Sequence, residues 1–98
     1  MWFFSSMNSI GKIYDQLKVI EQLLIELRVK GENSFNKEIT RRLISEIESH
    51  MASLQSIVDE SSNSVKCADF QFLGEKRRIG DIIWGVTEML KRYKKLSR

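Results

Sequence analysis

The chain has 98 residues, a formal net charge of +3, 42% hydrophobic and 30% charged residues, no proline and one cysteine. That length suits one small domain, and the balance of apolar and charged residues is that of a globular chain rather than a disordered one. A single thiol, Cys67, excludes an internal disulfide and any multi-thiolate metal site.

The start, "MWFF", lacks the basic flank and the length of a secretion signal. No stretch approaches the roughly 18 apolar residues needed to cross a bilayer. The chain therefore reads as soluble and cytoplasmic, with no membrane span. Residues 1–7 read as an apolar N-terminal arm and residues 8–98 as a single helical domain.

Apolar residues then recur at steps of three and four. Ile10, Ile13, Leu17, Ile20, Leu24 and Leu27 form a heptad seam about three repeats long. Asn8 or Ser9 at the start and Gly31 after Lys30 supply cap residues, which predicts a helix over about 8–30. Tyr14, Val19, Leu23 and Ile25 carry its apolar surface well beyond the seam.

The polar turn "GENSFN" is short enough to imply antiparallel packing of its neighbours. A second seam, Ile44, Ile47, Met51, Leu54 and Val58, predicts a helix over about 36–60, with Ile39, Leu43 and Ile57 on its flank. Arg41, Arg42, Ser45, Glu48, Ser49, Ser53 and Ser56 make its solvated side.

"SSNS" at 61–64 is a second break. Residues 65–73, "VKCADFQFL", are ambiguous between helix and loop. A strand there would lack a partner, so the expectation is a loop or helical turn that docks Phe70 and Phe72 on the core. A third seam, Ile79, Ile82, Val86, Met89, Tyr93 and Leu96, widened by Ile83 and Leu90, predicts a helix over about 75–97. The expected fold is all-α: an antiparallel bundle of three amphipathic helices with coiled-coil-like seams, and a surplus of apolar surface that points to a dimer.

Catalytic and metal motifs are missing. Zinc sites need several Cys or His at short spacing, and this chain has one of each. His50 lies at the edge of the second stripe, where a half-buried, satisfied histidine is the simplest account. Cys67 reads as a small buried or half-buried residue. "GEKRRIG" has neither the GK[ST] ending nor the preceding strand of a phosphate loop. The acid pairs Glu46/Glu48 and Asp59/Glu60 do not face each other on a helix. The expectation is a protein that is not an enzyme and holds neither cofactor nor metal.

Residues 75–98 hold eight basic and three acidic side chains, while the rest of the chain is slightly acidic. At 100° per residue, Trp84 points away from the third seam, and Arg77, Lys91, Lys95 and Arg98 project to the same side. Trp and Arg are enriched at binding hot spots, and a Trp ringed by charge fits an anchor with a polar rim. These five residues are the candidate partner-binding set. Trp2, Phe3, Phe4, Val19, Leu23 and Ile25 are the candidate dimer or partner surface.

Two other accounts of Trp84 stay open. Lys and Arg there could neutralise phosphates while Trp84 stacks on a base, although Asp81 and Glu88 interrupt the basic face. Alternatively, Trp84 packs under residues 65–73 or the N-terminal arm. The preferred expectation is a non-enzymatic interaction module that binds and sequesters, inhibits or scaffolds a macromolecular partner, a second copy included. The alternative is a small nucleic-acid-binding regulator.

Overall fold

The central residues of all three apolar stripes are buried, while Ile10 and Leu96 at their ends are exposed, and that burial sets the architecture. The computed structural model describes residues 2–33 and 37–96, with side chains placed over 9–30 and 37–96. The chain is mostly helical, with one small antiparallel strand pair. Helix α1 spans Trp2–Asn33, α2 Lys37–Asp59 and the single turn α3 Asn63–Lys66. Strands β1 (Asp69–Phe72) and β2 (Glu75–Arg78) follow, and α4 (Ile79–Leu96) closes the fold.

On α1, Ile13, Leu17, Ile20, Leu24 and Leu27 are all 4% exposed or less. They meet Leu43, Ile44, Ile47, Met51, Leu54 and Val58 of α2, all of them buried. Burying one such side chain is favourable by roughly 1.5–3 kcal/mol before entropy is counted. α1 and α2 pack along their length, with Gln16 beside His50, so they form a helical hairpin. His50 Nδ1 and Gln16 Oε1, 2.8 Å apart, join the two helices beside the apolar seam.

α1 is longer at both ends than its heptad seam. It runs through Gly31 instead of ending there, and its backbone begins at Trp2, so the N-terminal arm continues the helix. The side chains of Trp2, Phe3 and Phe4 lie outside the described residues. A 32-residue helix is about 48 Å long, which accounts for the 49 Å long axis of the molecule.

The third segment departs from expectation. Residues 75–78 are not the first turn of a helix; they are β2, paired with β1 in the register Asp69↔Arg78, Phe70↔Arg77, Gln71↔Lys76 and Phe72↔Glu75. The fold is therefore not purely α-helical. Leu73 and Gly74 form a two-residue turn with φ of 50° and 83°. Positive φ at both central positions is the hairpin turn whose twist matches that of the strands it joins.

Alternation puts Phe70 and Phe72 on one face of β1, at 2% and 5% exposure, while Asp69 and Gln71 face out. The two phenylalanines dock on the core as expected, but from a strand. The partner that a strand at 65–73 seemed to lack lies just beyond the turn, at residues 75–78.

α4 starts directly at Ile79 and buries Ile79, Ile82, Val86 and Leu90. Ile83, Met89 and Tyr93 are half-buried on its flanks, and Leu96 is 64% exposed at its end. Lys94 Nζ meets Glu48 Oε2 at 2.7 Å, so the last turns of α4 return to the middle of α2. The hairpin fills the remaining side, in contact with both α1 and α4. Cys67 is exposed after α3, not buried.

Candidate partner-binding surface

The helical period of α4 decides which side chains it can offer. With Ile79, Ile82, Val86 and Leu90 turned inward, Trp84, Glu88, Lys91 and Lys95 fall on the opposite face. Trp84 is 68% exposed, the highest value among the described large hydrophobic residues. It lies in a shallow hollow of about 370 Å³ with Gly85, Glu88, Met89 and Arg92. Gly85 leaves that hollow open, since a Cβ added there would meet no heavy atom within 4 Å. Residues 65–73 do not cover the indole.

The cations around Trp84 are partly committed. Lys91 Nζ is 3.4 Å from Glu88 Oε1, an i,i+3 pair. Lys94 is held by Glu48 across the α2–α4 seam. Lys94 and Lys95 stand in the last turn of α4, where positive charge is favoured by the helix carbonyl ends. Glu88, Lys91, Arg92, Lys94 and Lys95 together line a shallow polar groove.

Arg77 does not belong to this face. It sits on β2, not α4, and its Nε donates to Glu75 Oε2 at 3.0 Å, with a second contact from Nη2 to the same oxygen. The helical projection that grouped Arg77 with Trp84 fails because the helix begins two residues later. Arg98 lies outside the described residues.

Arg77 instead lines a groove of about 320 Å³ between the hairpin and α4, with Phe72, Leu73, Glu75, Asp81, Ile82, Gly85, Val86 and Met89. Gly85 and Met89 line both this groove and the Trp84 hollow, so the two adjoin. The sequence contains no local signal for this groove, because it exists only once the hairpin folds against α4.

The α1 candidates separate. Val19 is 39% exposed and Ile25 45% exposed, but they lie on opposite flanks of the helix. Leu23 is half-buried against the core. Ile25 shares its flank with Val29, which is 49% exposed. Tyr14, 45% exposed, has a job of its own: its ring meets Phe70 edge-on, with centroids 5.1 Å apart and planes at 62°.

Among the described residues, no helix is long and apolar enough to cross a membrane. The chain matches no protein-family model, and no curated protein or solved structure is significantly similar to it.

Proposed function

We propose that this chain is a non-enzymatic interaction module that binds, and thereby sequesters, inhibits or scaffolds, a macromolecular partner through its helix surfaces. One observation carries the reading: Trp84 stands 68% exposed beside an open glycine notch and the half-buried Met89. A large indole left in water next to a concavity is the arrangement of an unfilled anchor, and Glu88 and Arg92 beside it, with Lys91 and Lys95 further along the same face, supply the polar rim. Helices α1, α2 and α4 form the three-helix frame, with coiled-coil-like seams, that holds this face rigid. Self-association is part of the proposal: Ile25 and Val29 leave apolar surface on one flank of α1 that a second copy would cover. The proposed setting is the cytoplasm.

A nucleic-acid reading has one specific observation in its favour, the polar groove with Lys91, Arg92, Lys94 and Lys95. It is the weaker reading. Glu88 stands inside that groove, and Glu88 and Glu48 already neutralise Lys91 and Lys94.

The test combines light scattering on the full chain with affinity capture by the parent and by Trp84→Ala. The expected result is a dimeric mass or a captured partner, with capture lost in the variant. A strict monomer that captures nothing, with parent and variant alike, would sink the reading. Binding to generic DNA or RNA that weakens about a hundredfold or more between 50 and 200 mM salt would support the alternative instead.

A further inference from the structure

We infer that the outer edge of β2, with the groove beside it, takes an extended segment of a partner protein in which acidic and apolar residues alternate. This rests on the reading of the chain as an interaction module and names the chemistry of its partner.

β2 has β1 on one side and, among the described residues, no strand on the other. All four of its side chains are exposed. In an antiparallel pair the backbone groups alternate in direction, so two of its residues turn N–H and C=O groups outward. Such an edge accepts an added strand through main-chain hydrogen bonds, and the side-chain pattern decides which strand.

The pleat specifies that pattern. Glu75 and Arg77 share a face with Phe72 and Phe70, their cross-strand partners. That face opens on the groove floored by Phe72, Ile82, Val86 and Met89. Lys76 and Arg78 share the other face with Gln71 and Asp69, and neither has an ion pair among the described residues. A strand added to β2 therefore sends one set of side chains toward an apolar floor and the alternate set toward two unpaired cations.

Charge excludes the other occupants. A second copy of β2 would set Lys76 against Arg77 at both central positions of an antiparallel pair, and every residue against its like in a parallel one, which destabilises pairing. A nucleic acid would bring phosphates to a groove whose rim carries Glu75 and Asp81.

The experiment titrates the isotope-labelled full chain with a capped synthetic octapeptide of alternating Glu and Leu. A control peptide of the same composition is arranged at helical spacing. The expected result is amide shifts over residues 76–78, with new exchange protection at Lys76 and Arg78, whose backbone groups face outward, and methyl shifts at Met89 and Val86. The exposed double variant Lys76→Glu/Arg78→Glu should bind at least about tenfold more weakly with its spectrum otherwise intact. Gly85→Leu, which fills the groove without touching β2, should also weaken binding.

Equal or better binding of the helical control, shifts centred on Trp84 and Arg92 alone, or no shifts overturn the inference. The two proposals fail separately. Capture lost in Trp84→Ala with β2 silent to the peptide leaves the interaction module standing without strand addition. Peptide binding at β2 with no capture through Trp84 does the reverse.

Discussion

The backbone N–H of Leu73, at the tip of the hairpin, donates a 2.7 Å hydrogen bond to the Glu21 carboxylate on α1, across 52 positions of sequence. It ties the turn to the longest helix at a residue held at positive φ, a conformation unfavourable for a branched side chain. Removing the acceptor in Glu21→Ala should lower stability by about 0.5–1.5 kcal/mol, whereas Glu21→Gln keeps an acceptor and should lose less. Denaturant unfolding of the three proteins checks this.

The same turn can be improved. Leu73 is 43% exposed, so little packing is lost on replacing it, and Leu73→Asn creates the Asn-Gly pair preferred in this turn. An increase of about 0.5–1 kcal/mol is expected from relief of the left-handed backbone. Gly74→Ala, at φ 83°, should destabilise instead. Thermal melts of both variants should move in opposite directions.

Gly85 sits inside α4 with open space where a Cβ would go. A helix-interior glycine costs roughly 0.8–1 kcal/mol relative to alanine. Gly85→Ala should therefore stabilise the free protein by about that amount. If the notch serves binding, the same substitution should weaken partner capture, a trade-off readable by running melting and capture on one sample.

Trp84 and Ile47 mark the two ends of the stability scale. Ile47 is fully buried between α1 and α2, and Ile47→Ala should cost about 2–5 kcal/mol through lost transfer energy and a cavity. Trp84→Ala, at a site 68% exposed, should stay within about 0.5 kcal/mol of the parent. Urea midpoints of the two variants, at unchanged slope, test the contrast.

The edge-on contact of Tyr14 and Phe70 predicts coupling between α1 and β1. A double-mutant cycle with Tyr14→Ala and Phe70→Leu should return an interaction energy of about 0.5–1.5 kcal/mol. A value near zero would mean that burial alone holds the hairpin on α1.

The candidate surface was only partly legible in advance. Trp84, Lys91 and Lys95 follow from helical period alone, since the seam Ile79–Ile82–Val86 fixes which side they take. The same arithmetic fails at Arg77, which lies two residues before the start of the helix. The groove at Phe72, Val86 and Met89 had no sequence signal, because its walls come from two elements that meet only in the folded chain.

The amino-acid sequence by itself determined the three apolar stripes, and with them α1, α2 and most of α4. Helix period is local: residues three and four apart share a face whatever the rest of the chain does. Tertiary structure decided the fate of residues 69–78. "EKRR" has no apolar period, and "LG" lacks the Asn or Asp that usually announces this turn. The strand pair forms because Phe70 and Phe72 gain a buried face only by lying across α1 and α4, with β2 as partner. That gain is non-local, so no window of sequence contains it.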